Sequence, residues 1–197
     1  GRLRRGEGGR LGYRSNLPLY DQADQVRLVK ACLEELGRDP KRFVPRGIHS
    51  QISNAKNQLI GPDEYASRVA SFYDQTVADV YRLYQRRLFA SNAVDFEDLL
   101  GHVMRIAEAG QTISGRYLQE RFDFVLVDEF QDTNQVQYRL VRAMVTNHHN
   151  LCVVGDDDQS IYRWRGSDVR IIRGFKRDFP EARIVKLEEN YRSTARI

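Results

Sequence analysis

Phe124-Val125-Leu126-Val127-Asp128-Glu129 is a short apolar run that ends in two adjacent carboxylates, and the polar string Phe130-Gln131-Asp132-Thr133-Asn134 follows it directly. A run of this length predicts a buried strand rather than a helix. In doubly wound sheets, ligands bind outside the carboxyl ends of the strands. A strand that delivers paired acids to that edge suits nucleotide chemistry: the Asp can help hold Mg²⁺ on phosphates, and the Glu beside it can polarise an attacking water. A strand running into a solvated turn has the same pattern, so this stretch alone leaves both readings open.

The sequence on either side narrows the choice. A second apolar run, 150–154, ends in Gly155 and three acids, followed by Gln159-Ser160-Ile161-Tyr162-Arg163-Trp164-Arg165-Gly166. A third, weaker run covers 184–187. Helical patterns at 135–147 and 167–177 lie between them. Strands alternating with helices predict a parallel sheet. Asp and Gln in the two loops can orient water, metal or phosphate. In Tyr162-Arg163-Trp164-Arg165, aromatics alternate with cations. That suits single-stranded nucleic acid, where each base–aromatic stack contributes about 1–3 kcal/mol. A rim on which aromatics pack and arginines stay wet fits the tetrapeptide equally well.

Upstream, the texture is helical. Asp21 can cap a helix to about Leu36, with Val26, Val29, Leu33 and Leu36 on one face and Gly37 ending it. A helix over 44–60 buries Ile48, Ile52, Ala55 and Leu59, and Gly61-Pro62 stops it. A long helix is expected from Asp63 to Ala90, with Val69, Phe72, Tyr73, Val77, Val80, Tyr81, Tyr84 and Leu88 as a packing stripe. Another helix runs from Asp95 to Ala109. Residues 1–20 read as a short basic helix or arm and then a loop. The expected division is an all-helical part, 1–93, and an α/β part, 94–197.

Composition bounds the function. The chain has 197 residues, with 31 Lys and Arg against 27 Asp and Glu, a formal charge of +4. That balance permits nucleic-acid binding without demonstrating it. No apolar run approaches the 20 or so residues of a membrane-spanning helix. Cys32 and Cys152 are the only cysteines, which excludes a disulfide framework and a zinc ribbon and makes a reducing, cytoplasmic setting the default. The first residue is Gly, and the chain stops at Ile197 just after an ordered-looking motif. A piece of a longer protein is therefore expected.

Three stretches carry a resemblance. DEFQDTN at 128–134, VVGDDDQSIYRWRGS at 153–167 and LEENYRST at 187–194 closely resemble motifs II, III and IV of the superfamily 1 DNA helicases of the UvrD/PcrA/Rep family, in the right order. YDQADQ at 20–25, ISNAKNQLI at 52–60 and VDFEDLL at 94–100 resemble the helical 1B subdomain of that family and its return into domain 1A. The resemblance covers nearly the whole chain and is strongest from 94 onward. It implies an α/β fold, a partial RecA-like P-loop NTPase domain with an inserted helical subdomain. It also implies an ATP-dependent 3′–5′ helicase of DNA repair or replication. ATP and Mg²⁺ would be its cofactors, and single-stranded and duplex DNA and repair proteins its partners.

Carried over by position, Asp128 would bind Mg²⁺ and Glu129 would act as general base. Gln159 would sense the γ-phosphate. Tyr191 would stack on adenine, and Arg192 would reach the γ-phosphate. Tyr162, Trp164 and Arg165 would line the path of single-stranded DNA.

The departures are equally informative. A P-loop needs Gly-x-x-x-x-Gly-Lys-Ser/Thr, yet no Gly of this chain is followed by Lys. The family's adenine-selecting glutamine segment, its early DNA-contacting motifs and its second RecA-like domain also have no counterpart. The chain alone is therefore expected to be catalytically silent. The alternatives are a subunit of a RecB/AddA-type helicase–nuclease, a non-catalytic module that binds single-stranded DNA, and a nucleotide hydrolase unrelated to nucleic acid.

Overall fold

The structure, a computed structural model, describes residues 12–14, 16–110, 112–162 and 166–189. It is helix-rich, with one small parallel sheet, as expected of part of a RecA-like α/β domain. Helix α1 is Gln22–Glu35, α2 Pro45–Asn57, α3 Pro62–Ala66, α4 Phe72–Ala90, α5 Phe96–Ala109 and α6 Ile113–Glu120. Strand β1 is Val125–Val127, α7 Gln135–Met144, β2 Leu151–Val153, α8 Val169–Arg173 and α9 Phe175–Asp178. Short 3₁₀ turns at Phe130–Asp132 and Asp157–Gln159 follow the two strands. Among the described residues, no helix is long and apolar enough to cross a membrane.

Local chemistry sets the helix ends. Asp21 opens α1 with a capping box: its carboxylate accepts the Asp24 N–H at 2.9 Å, and the Asp24 side chain reaches back to the Asp21 N–H. The helix closes at Gly37, whose φ of +65° suits a residue without Cβ. Cys32, not Leu36, joins Val29 and Leu33 on the buried face, and burial pushes the Cys32 thiol up to about 11.

The expected helix from Asp63 to Ala90 is two helices. Ser71 interrupts it: its Oγ accepts the Asp74 N–H at 3.1 Å and donates to Asp74 Oδ2 at 2.7 Å, an N-cap that starts α4 afresh. Val69 therefore belongs to no stripe, and Phe72 and Tyr73 stay exposed, while Val77, Val80, Tyr81, Tyr84 and Leu88 are buried. Helix α6 has no counterpart in the expected elements. Thr112 caps it through the Gly115 N–H at 2.8 Å.

Three clusters of core follow. Helices α1, α2 and α4 enclose Val29, Leu33, Ile48, Ile52, Val77, Val80, Tyr84 and Leu88, each worth about 1.5–3 kcal/mol when an aliphatic side chain is fully buried. Around the sheet, Phe130, Tyr138 and Ile171 pack with Val127, Val153, Ile172, Phe175 and Phe179. Ala107, Leu118 and Ala143 join α5, α6 and α7. A backbone contact stitches the segment before α1 to the residues after α4. Leu19 bridges Val94 in parallel, with Tyr20 N–H to Val94 O at 2.9 Å and Val94 N–H to Pro18 O at 3.1 Å. Asn92 adds bonds to the Arg14 N–H and to the Asn16 carbonyl.

The strands pair as expected, parallel, with Val125 opposite Leu151, Leu126 opposite Cys152 and Val127 opposite Val153. The expectation of a buried first strand fails. Successive side chains point to opposite faces: Val127 faces the aromatic cluster, while Leu126 is 76% exposed. No described element covers its face. The expected third strand is also absent: 184–187 forms no ladder, and Ile184, Val185 and Leu187 are exposed. The helical pattern at 167–177 is two short helices that meet at Gly174.

Candidate functional site

At the carboxyl ends of β1 and β2, the two acidic loops are joined by one buried side chain. Glu129 sits in the left-handed region at φ 49°, ψ 43°, a conformation that costs a non-glycine residue of order 1–3 kcal/mol and persists only when its surroundings hold it. They do. Phe130, fully buried among Tyr138, Ile171 and Phe175, anchors the turn from below. The Phe130 N–H donates to Val154 O at 2.9 Å.

Gln131, 2% exposed, is the joint. Its Nε2 donates to Glu129 Oε2 at 2.8 Å, and its Oε1 accepts the Asp156 N–H at 3.1 Å. Asp156 Oδ2 in turn accepts from Gln159 Nε2 at 2.7 Å. A continuous hydrogen-bonded chain therefore runs from Glu129 through Gln131 and Asp156 to Gln159. Gly155 is required beside it. A Cβ there would lie 2.6 Å from Gln131 Oε1 and 2.9 Å from Ile172 Cδ1.

Asp128 stands at the strand end, exposed, its Oδ1 accepting the Glu129 N–H at 2.9 Å. Among the described residues, no group of three or more His, Cys, Asp or Glu side chains is arranged to hold a metal. Mg²⁺ on a nucleotide needs only one or two carboxylates, because phosphates and waters complete its shell. An exposed Asp128 with its second oxygen uncommitted to backbone fits that demand. Asp132 Oδ1 is buried with no hydrogen-bond partner, and Asp157 is paired with Arg173 at 2.8 Å.

Residues 2–180 match the family described as UvrD/REP helicase N-terminal domain. The chain belongs to the UvrD/REP helicase family. It is 44% identical over 196 residues to the ATP-dependent DNA helicase PcrA of Bacillus subtilis, covering 100% of this chain and 26% of that protein. It is 46% identical over 196 residues to the ATP-dependent DNA helicase UvrD1 of Mycobacterium tuberculosis, covering 94% of this chain and 25% of the relative. It is 43% identical to PcrA of Staphylococcus epidermidis over 100% of this chain and 27% of that protein. The chain thus spans about a quarter of the length of these curated relatives.

For this UvrD/REP family chain, the structure brings three of the residues singled out in the sequence, Asp128, Glu129 and Gln159, to one edge of the sheet. Tyr162, 37% exposed, follows on the loop after β2. Trp164, Arg165, Tyr191 and Arg192 lie outside the described residues.

Sequence reasoning did not single out Gln131, although it lies inside the quoted DEFQDTN string. Its signal was its place two residues after Glu129, where a 3₁₀ turn folds the side chain back. It also passed over Lys56, which continues the Ile48–Ile52 stripe at a spacing of four and is therefore turned inward. Lys56 Nζ meets Asp95 Oδ2 at 2.5 Å and Asp98 Oδ1 at 2.9 Å, all three side chains being at most 12% exposed. Asp95 Oδ2 also accepts the Tyr84 hydroxyl at 3.0 Å, and its Oδ1 caps α5 through the Asp98 N–H at 2.8 Å. Burial pushes the Asp95 carboxyl up against the pull of Lys56, with the Asp98 charge adding to the rise. Burial acts the same way on Asp98, but there Lys56 and the bonds from Gln85 and Lys56 prevail and hold it below the usual range. This ion cluster fastens α2 and α4 to α5, the helix that leads toward the sheet.

Proposed function

We propose that the protein is part of an ATP-dependent DNA helicase that moves 3′ to 5′ on single-stranded DNA in repair or replication. The observation that carries this reading is the chain of hydrogen bonds from Glu129 to Gln159. It makes the two acid-ended loops one mechanical unit, as a machine that couples nucleotide state to DNA grip requires. The similarity to ATP-dependent DNA helicases supports the use of ATP and DNA.

In this reading, Asp128 holds Mg²⁺, and Glu129 takes the proton of the attacking water. The left-handed backbone at Glu129 aims its carboxylate, and Gln131 keeps it aimed. When bound, Mg²⁺ neutralises charge on the phosphates of ATP. Gln159 senses the γ-phosphate, Arg192 stabilises charge on the transferring phosphoryl group, and Tyr191 stacks on adenine. Tyr162, Trp164 and Arg165 grip single-stranded DNA. Residues 1–93 form the helical subdomain and 94–197 the RecA-like part. Duplex DNA is the substrate, with repair proteins as partners.

The chain alone is silent in this reading. Backbone amides and a Lys of the P-loop type supply most of the electrostatic stabilisation in phosphoryl transfer, and no Gly-Lys pair occurs in the sequence. The test is ATP hydrolysis with and without single-stranded DNA, on the chain and on the longer protein that carries it. A silent chain beside a DNA-stimulated longer protein is expected. A longer protein that hydrolyses ATP and ignores DNA overturns the helicase reading. Turnover by the chain alone, well above a Glu129→Gln control, overturns its silence.

A further inference from the structure

We propose that Asn57 is a positioning residue that ties the helical half to both loops of the candidate site, so that DNA binding accelerates ATP hydrolysis only while this tie holds. The proposal rests on the functional reading above and adds to it a residue from outside the quoted loop motifs.

Asn57 is the last residue of α2. The residue before it, Lys56, is locked by Asp95 and Asp98, so the end of α2 cannot slide along α5 without breaking a buried ion cluster. From this fixed place, Asn57 Oδ1 accepts a hydrogen bond from Asn134 Nδ2 at 2.9 Å, across 77 positions of sequence. Asn134 is itself committed. Its Oδ1 accepts the Gln137 N–H at 2.9 Å, and its own N–H donates to Gln137 Oε1 at 3.0 Å, the capping box that starts α7. Asn57 therefore holds the end of the loop that begins at Asp128.

The second loop meets the same side chain. Gly166 has a φ of +86°, and a Cβ added there would lie 3.0 Å from Asn57 Cβ and 3.3 Å from its Nδ2. Two residues later, the Asp168 N–H donates to Thr133 O at 3.1 Å, and Gln135 Nε2 donates to Asp168 Oδ2 at 3.2 Å. The loop from β2 to α8 is thus gauged against the first loop at both ends, by Gln131 near its start and by Asn57, Thr133 and Gln135 near its finish. In sequence, the candidate DNA contacts within 162–165 fall between these two points. A shift at Glu129 reaches the start of this loop at Asp156 through Gln131, and a shift of the helical half reaches its end at Gly166 through Asn57. Coupling of this kind needs a physical link with two fixed ends, and both are present.

The experiment uses the longer protein that carries this chain, with Asn57→Ala, Asn57→Leu and Asn57→Asp. Asp keeps the acceptor oxygen, Leu keeps the bulk without it, and Ala removes both. For each, kcat and KM for ATP are measured with and without single-stranded DNA, and melting is followed by circular dichroism. The expected result is a loss of DNA stimulation of about five- to ten-fold in the Ala and Leu variants, within the usual range of coupling between sites. Their DNA-free kcat stays within about two-fold of the parent, and Asn57→Asp retains most of the stimulation. In the chain itself, amide exchange at Asp168 and Gln137 speeds up about five-fold in Asn57→Ala, the size set by one neutral hydrogen bond.

Equal stimulation in the parent and in the Ala and Leu variants overturns the role of Asn57 and leaves the helicase reading standing. DNA-free and DNA-stimulated rates falling in step, or Ala and Leu variants that do not fold, show a structural role and also overturn it. A parent with no response to DNA overturns both readings.

Discussion

Lys56 shows how much one buried charge can hold together. Its ammonium faces two carboxylates in a site nearly closed to water, and removing it leaves both without a cation. Lys56→Met should destabilise the protein by about 3–5 kcal/mol, the range for breaking a buried ion pair from one side, seen as a lower urea midpoint. At the sheet edge, Gly155→Ala brings a methyl against Gln131 Oε1 and Ile172. A loss of about 1–3 kcal/mol is expected, as for overpacking elsewhere, and thermal melting measures it. The acids of the candidate site stood out in the sequence only together with the polar string behind them and the second acid-ended run, since the apolar run ending in Asp128-Glu129 alone left two readings open. The side chains that hold them were not. Gln131 and Asn57 act through contacts 25 and 77 positions away, and no local periodicity reports a partner at that distance.

At the level of elements, caps decide what periodicity leaves open. The apolar spacing from Val69 to Leu88 is consistent with one helix, yet Ser71 offers Asp74 a cap and the chain takes it. Ser71→Ala should cost about 1 kcal/mol, as for other N-caps, read by urea denaturation, with a control at the exposed Ser91 changing stability far less. The ends of α1 and α5 were legible for the same reason, since Asp21 and Asp95 stand where a cap belongs. Helix α6 escaped because its eight residues hold little more than two turns of pattern. The run at 184–187 looked like a strand from composition alone. A strand exists only where a neighbour accepts its hydrogen bonds, and no described residue does so there.

The whole molecule carries its own response to acid. His49 and His102 are held below the ordinary histidine value, first by burial, with Lys56 acting on both and Arg105 on His102. Gln25 donates to Tyr20 O, which leaves its Oε1 to accept from His49 Nε2 at 2.6 Å. As pH falls through about 6.5, the unfolded chain takes up protons that the folded chain declines, so stability is full above that value and drops below it. Melting temperature should therefore fall between pH 7 and pH 5, and His49→Gln should flatten part of that slope. Asp98, Asp168 and Asp178, held below the usual carboxylate range, add a further loss at lower pH, while Asp95 acts in the opposite direction.

The stitch between Arg14–Tyr20 and Asn92–Val94 has a consequence at this scale too. The polypeptide departs into α1 and comes back from α4 through a single gate, two neighbouring extended segments held by their own hydrogen bonds. Everything between is an excursion whose ends already touch. Loop closure grows slowly with length, about 0.6 kcal/mol for each doubling. Excursions of other sizes are therefore accepted at this gate at little cost in closure, provided that they keep the Lys56 and Asn57 contacts to the part of the chain that lies beyond it.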